Sequence, residues 1–412
     1  MALERSKAAP LTMDLSMDNI KEWPGFPNLI KPHIQKTTIL RFGALTTVDD
    51  LSQTLPDFPQ STPNLQVLIL HLSKDSTQWD RAMDPFKLFP TTTLRCLILE
   101  GIPLYPSFLS LRSLTQLKLK DSEFSHTIDT LLRFIKRNAL LESVTLQIKF
   151  VDLSLRTLLC QAPIENRLKI LEVHSEDAEV IRVLISGIAL QRGAHLCIVH
   201  IHSSTSTSLT NILSDVSNLA NLSSPNCMKV LHQSLVELSG PNGSFSIQGP
   251  LFSVMSLTEF SPLSCESIQE LHFAGGFTVV FEPFLFPALK VLVVGDRGNV
   301  SDILSNLFSS PESCPLLEIL AFSRCELSDD PMERLIQFAS NRKETTSMQL
   351  SHIFIAHADP GVEDGFMNRV HFSLFHAQIP SASLISELKL HVPVDVLPPD
   401  TELPSQLVNE VF

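Results

Sequence analysis

The stretch SCPLLEILAFSRCELSDDPMERLIQFA, Ser313 to Ala339, carries two periodicities in succession. Leu317, Leu320 and Phe322 stand in an LxxLxL frame, which ends on the alternation of a strand. Cys325 and Leu327 follow, and an acidic pair, Asp329 and Asp330, opens a run in which Met332, Leu335 and Phe338 recur at helical spacing. A strand-sized motif passing directly into a helix-sized one is a strand–return unit, too small to cover its own apolar faces.

The frame recurs along the chain. It appears in NLQVLIL (Leu65, Leu68, Leu70), TLRCLIL (Leu94, Leu97, Leu99), SLTQLKL (Leu114, Leu117, Leu119), LLESVTL (Leu141, Val144, Leu146) and RLKILEV (Leu168, Leu171, Val173). It continues in HLCIVHI (Leu196, Val199, Ile201), SIQELHF (Ile268, Leu271, Phe273), ALKVLVV (Leu289, Leu292, Val294), QLSHIFI (Leu350, Ile353, Ile355) and LISELKL (Ile385, Leu388, Leu390). SLVEL (Leu235, Leu238) is a weaker copy, and TTILRF (Leu40, Phe42) precedes them all. Leu114 to Leu141 and Leu141 to Leu168 are 27 residues each, and Leu168 to Leu196 and Leu289 to Leu317 are 28 each.

A period near 28 in this frame predicts an α/β leucine-rich-repeat solenoid, a horseshoe with one parallel strand per repeat and helical or irregular return segments. Stacking turns the frame leucines into one continuous core. A conventional α/β domain with parallel strands is the alternative. The boundaries read as an N-terminal strand and turn cap over 1–36, a single solenoid domain over 37–395 and a C-terminal tail over 396–412. Helical returns are predicted at Asp129–Arg137, at Glu176–Leu190 and at Asn299–Phe308, each with apolar residues on one face. The proline-rich joints Leu55–Asn64 and Gly101–Ser107 predict irregular arms. Ser204–Asn226 lengthens one repeat, as a disordered insertion or as a helix through Leu209, Ile212, Val216 and Leu219.

Composition narrows the function classes. With 412 residues, 44% hydrophobic and 18% charged, the chain can bury a large core. A net charge of −13 without an extended Lys/Arg run argues against nucleic acid as a partner. No apolar stretch reaches the length of a membrane span and the first residues lack a signal-peptide core, so no membrane partner and a cytoplasmic or nuclear protein are expected. Seven scattered cysteines without a CxxC pair read as reduced, with Cys325 as a packing residue rather than a nucleophile. Phosphate-loop, dinucleotide, nucleophile-elbow and zincin motifs are missing, and the acidic turn at His357–Phe366 lacks calcium-loop spacing. The expectation is a non-enzyme without cofactor or metal.

At the opening segment, Cys314, Leu317, Leu320, Phe322, Cys325, Leu327, Ser328, Asp329, Leu335 and Ala339 resemble the cysteine-containing repeat of F-box proteins. Ala9–Asp18, Leu55–Leu72, Trp79–Phe86, Leu104–Phe124 and Ile185–Leu196 look like the repeat region of basidiomycete fungal F-box proteins. The resemblance covers Ala9 to at least His200. It implies the substrate-binding repeats of an F-box subunit of a Skp–cullin–F-box ubiquitin ligase, with an unknown target protein as partner, and the Skp adaptor and cullin where an F-box is present. Residues 1–60 read as a strand, a Trp23-Pro24-Gly25 turn and a first repeat. The F-box is therefore lost, upstream or unused, and a stand-alone scaffold or decoy is the alternative.

In such an array the residues between the frame leucines face the concave surface. The candidate protein-binding face comprises His71, Gln116, Lys118, Lys120, Glu172, His174, His200, His202, Glu270, His272, His352, Phe354, Glu387 and Lys389. The recurrent histidines suggest a pH-sensitive or metal-binding face, or simply scattered polar exposure. His200 and His202 alternate like two ligands of one site, but two ligands do not make one, and Cys197 has the other parity.

Overall fold

The computed structural model describes residues 9–16, 28–29, 31–45, 62–72, 93–124, 127–150, 164–165, 167–200, 212–213, 218–231, 235–249, 254–274, 278–295, 300–309, 312, 314–323, 327, 329–344, 350–356 and 382–397. The chain is a mixed α/β protein, mostly parallel and not closed into a barrel. It divides into two compact units: Met1–Ile201 with Ser217–Ala220, and His202–Val216 with Asn221–Phe412.

The strands of the first unit are β1 (Leu11–Ser16), β2 (Thr37–Leu45), β3 (Val67–Leu72), β4 (Cys96–Glu100), β5 (Gln116–Phe124), β6 (Ser143–Phe150), β7 (Ile164–Glu165), β8 (Ile170–Ser175), β9 (Ile188–Ala189) and β10 (Ala194–His200). The sheet runs β1-β2-β3-β4-β5-β6-β8-β10, while β7 and β9 pair with each other. Its described pairings are parallel and follow chain order. Period-2 alternation decides what goes inside: Leu68 and Leu70, Leu97 and Leu99, Leu117 and Leu119, Val144 and Leu146, and Leu171 and Val173 are buried pairs in register. Parallel strands need long crossovers, and helices α1 (Ile128–Arg137) and α2 (Ala178–Gly187) supply two of them.

Both helices start on a side-chain cap, Thr127 accepting from the Thr130 N–H and Asp177 from the Glu179 N–H. Helix α2 stops at Gly187, where a Cβ would stand 2.7 Å from Leu132 Cδ1 of α1, so glycine permits this close approach. Ile188 and Ala189 then turn extended, three residues before the helical pattern in the sequence runs out.

Successive strands begin with the same hydrogen bonds. The Thr115 carbonyl accepts the N–H groups of Glu142 (2.8 Å) and Ser143 (3.2 Å), and the Glu142 carbonyl accepts those of Lys169 (2.8 Å) and Ile170 (3.1 Å). Behind them Asn138, fully buried at the end of α1, donates through Nδ2 to the carbonyls of Leu111 and Phe134 (3.0 Å each). Its Oδ1 accepts from the Leu114 N–H at 3.1 Å. One side chain thus ties the turn before β5 to the turn before β6.

The second unit contains β11 (Cys227–Leu231), β12 (Leu235–Gly240), β13 (Gly243–Gln248), β14 (Val254–Ser256), β15 (Glu270–Ala274), β16 (Thr278–Val280), β17 (Val291–Gly295), β18 (Ile319–Ser323), β19 (His352–Ala356) and β20 (Val394–Leu397). Its sheet runs β13-β12-β11-β15-β17-β18-β19-β20, with β14 and β16 paired separately. Helices α3 (Val300–Ser309), α4 (Asp329–Glu344) and α5 (Ala382–Leu388) lie in its crossovers. Phe308 of α3 and Phe338 of α4 meet at 5.0 Å between ring centroids. Arg342 of α4 covers Phe338 and donates through Nη2 to the carbonyls of Cys314 (3.1 Å), Pro315 and Leu317 (3.3 Å each). Arg342 thus does for the turn before β18 what Asn138 does for the turn before β5.

Three frame copies are corrected. SLVEL is β12, which runs antiparallel to both β11 and β13; the parallel strand of that repeat is β11, with Met228 and Val230 buried. LISELKL is α5 and the turn after it, because Leu384 and Ile385 recur at helical spacing with Leu388 across polar Ser386 and Glu387, and the strand comes later as β20. In β10 the frame slips: Leu196 pairs with Leu171 and Ile198 with Val173, so Leu196 and Ile198, not Val199, hold the core positions, and Ile201 lies outside the described residues. Of the insertion Ser204–Asn226, residues 212–213 and 218–226 are described, with Leu219 bridged to Leu190 and a 3-10 turn at Ala220–Leu222. The Trp23-Pro24-Gly25 turn, the Leu55–Asn64 joint up to residue 61, Cys325 and the acidic turn at His357–Phe366 lie outside the described residues.

Replacing Asn138 by alanine leaves the Leu111 carbonyl and the Leu114 N–H without their side-chain partner, while the Phe134 carbonyl keeps the backbone N–H of residue 138. At roughly 1 kcal/mol or more for each of the two, the loss is about 2 kcal/mol, which a urea unfolding curve reads directly. An equal effect from alanine at exposed Arg112 would sink this account.

Candidate functional site

The face of the first unit's sheet opposite the core carries a connected row of polar side chains. His71 on β3 lies 2.6 Å through Nδ1 from Glu100 Oε2 on β4, and Lys120 Nζ on β5 donates to Glu100 Oε1 at 2.8 Å. Next, Asp121 sits at φ +49°, where β5 slips register against β6, and its carboxylate accepts from Gln147 Nε2 at 2.8 Å. On β8, His174 Nε2 meets Glu172 Oε1 at 2.6 Å, and Thr145 of β6 donates to Glu172 Oε2 at 3.0 Å. Lys118 stands beside Thr145 in the ladder, and its charge reaches both Glu100 and Glu172.

Apart from exposed Asp121 these residues are half-buried, and that matters for their charge. Burial works against the ionised Glu100, but the hydrogen bond from Lys120 and the charges of His71, Lys120 and Lys118 outweigh it and hold the carboxyl below its ordinary range. At Glu172, burial is likewise outweighed by hydrogen bonds from His174 and Thr145 and by the charges of His174 and Lys118.

The second unit presents a different face. Val293 and Ala321 occupy its middle and are buried, so the polar groups are pushed to the two sides. On one side His352 stacks on Phe354 at 4.3 Å and bonds Asp395 Oδ2 at 3.0 Å. On the other, Cys227 of β11 pairs in register with Glu270 of β15, and Glu270 touches His272. One ligating atom from each of these three residues lies within 4.8 Å of the others. Burial, then the Glu270 charge, pushes the Cys227 thiol up to about 11. Burial carries Cys265 to about 11 and Cys314 to about 12, so these are not thiolate nucleophiles at neutral pH.

Most sequence-predicted residues fall on these faces. His71, Gln116, Lys118, Lys120, Glu172 and His174 share the first unit's face, and Glu270, His272, His352 and Phe354 the second's. Glu270 is there but buried. Two are displaced: Glu387 lies on α5 and Lys389 in the turn after it, because their segment is helical. The slipped frame pairs His200 with Ser175 rather than with Glu172, three positions from the predicted partner, and His202 lies outside the described residues. Glu100 and Cys227 were missed. Glu100 directly follows its frame copy, and Cys227 opens a strand whose core pair, Met228 and Val230, contains no leucine. No protein-family model matches the chain, and no curated protein matches it in sequence. Among the described residues, no helix is long and apolar enough to cross a membrane.

Because Glu100 and Glu172 are held below their ordinary range, their contribution to stability is complete above the unfolded-chain value of about 4.3 and is lost as pH falls through their folded values. Urea midpoints measured from about pH 6 down to about pH 3 should fall more steeply for the natural chain than for the Glu100→Gln/Glu172→Gln variant. Parallel curves would remove these two groups from the acid response.

Proposed function

We propose that the chain is a non-catalytic protein-recognition module, a leucine-rich-repeat array resembling the substrate-binding region of an F-box subunit of a Skp–cullin–F-box ligase. The observation that carries this reading is the polar row from His71 to His174. It crosses five adjacent strands, so it spans roughly 20 Å at about 4.8 Å per strand. Its members are held by ladder position, by the Lys120–Glu100 ion pair and by mutual hydrogen bonds, so little side-chain freedom is lost when a partner docks. Charges arranged this way set partner choice and approach rate more than raw affinity.

A stand-alone scaffold is the second reading: the polar row is built from strands β3, β4, β5, β6 and β8 alone and needs no adaptor-binding element to hold a partner.

Affinity purification of the chain from its native cells, with mass spectrometry, tests both. The Lys118→Gln/Lys120→Gln variant should lose the specifically captured protein by at least about tenfold, the effect of about 1.4 kcal/mol, with an unchanged circular dichroism spectrum. Equal capture by the variant would rule out this row as the recognition surface. Skp adaptor and cullin in the eluate would support the ligase role; a captured partner without them would support the scaffold.

A further inference from the structure

We infer that Cys227, Glu270 and His272 form a binding site for a zinc-like divalent transition metal on the second unit's strand face, with a fourth coordination position for water or another ligand.

The backbone builds the site. Cys227 and Glu270 are Cα partners across the parallel β11–β15 ladder, and His272 follows Glu270 by two residues, which returns it to the same face. Strand β11 is held on both sides, by β15 and by antiparallel β12, so the ligands stand on the sheet rather than on a loop. A tetrahedral ion with bonds of about 2.0–2.3 Å sets its ligand atoms about 3.5 Å apart. The three atoms already lie within 4.8 Å of one another, so side-chain torsion alone can close the set.

The donor chemistry selects the ion. Sulfur, imidazole nitrogen and one carboxylate oxygen suit a borderline-soft cation, whereas calcium and magnesium take oxygen shells. Charge points the same way. Glu270 keeps 5% of its side chain exposed and His272 16%, against 29% and 28% for Glu100 and His71. A dication with one thiolate and one carboxylate is neutral overall, so the buried assembly carries no net charge for neighbouring Lys229 and Glu237 to oppose. Binding would break the Cys227 S–H bond, form the metal–sulfur bond and release the proton to water. Ser239, Cα partner of Cys227 on β12, hydrogen-bonds the Cys227 side chain and would orient the sulfur.

The competing arrangement is a neutral thiol packed beside a His–carboxylate pair. The other pairs, His71–Glu100, Glu172–His174 and His352–Asp395, are more exposed. Among the described residues, only the Glu270 pair gathers a third ligating group.

The test uses the full chain, reduced and stripped with a chelator. Zinc is titrated against a chromophoric competitor, and cobalt(II) is added separately to read thiolate-to-metal charge-transfer absorption. The natural chain and a Cys197→Ser control should bind one equivalent and show the band. Cys227→Ser should lose the band and bind more than about 100-fold more weakly, beyond the roughly 10–100-fold that outer-shell partners cost. Glu270→Gln, nearly isosteric, should weaken binding while the band persists, and it serves if Cys227→Ser does not fold. No saturable binding by the natural chain, or unchanged affinity and band in Cys227→Ser, overturns the site. So does unchanged affinity in Glu270→Gln.

Discussion

One carbonyl accepting two N–H groups at the start of successive strands is the constraint on which the rest depends. It recurs in both units: the Gln269 carbonyl accepts from Lys290 and Val291, that of Lys290 from Glu318 and Ile319, and that of Glu318 from Ser351 and His352. Because each such strand is pinned at the same level as its neighbour, alternation within a strand becomes rows across strands. The buried rows hold the leucines, and the opposite rows hold whatever the surface requires. Return segments can then differ in length without moving the face. Leu94 to Leu114 is 20 residues and Leu114 to Leu141 is 27, yet Leu97, Leu117 and Val144 stand in one register row.

Turns before such strands leave carbonyls facing the interior, and the two units answer this in chemically distinct ways. Asn138 supplies two donors and one acceptor from a neutral amide. Arg342 supplies a guanidinium shared by three carbonyls and backed by the Phe338 ring. The arginine carries the larger desolvation cost, since burial draws its proton affinity below the usual value. Its longer stem, however, reaches from the final turns of α4 to a turn that the amide of an asparagine could not reach.

The sequence made the repeat visible because the leucine rows are dictated by the burial that stacking requires, and LxxLxL copies record that burial one unit at a time. It misled where burial and frame part. In HLCIVHI two apolar alternations overlap, and only pairing with Leu171 and Val173 selects Leu196 and Ile198. SLVEL alternates correctly, but alternation carries no strand direction, so an antiparallel strand passed for a parallel one. LISELKL fits both periods over its few residues. The face residues were legible singly, as residues between leucines. Their partners were not, since His71 and Glu100, or Cys227 and Glu270, meet only through a register that spacing leaves open.

The antiparallel inset has a consequence for chain entropy. Strands β11, β12 and β13 are joined by residues 232–234 and by Pro241-Asn242, whereas β17 reaches β18 only after the whole of α3. Loop-closure cost grows with the logarithm of length, so this meander is the least expensive piece of sheet in the second unit to assemble. It also offers β11 as a ready template against which the first crossover, ending in β15, can dock. Direction is reversed twice here, from β11 to β12 and from β12 to β13, and these reversals make one stretch of a slow, non-local ladder local.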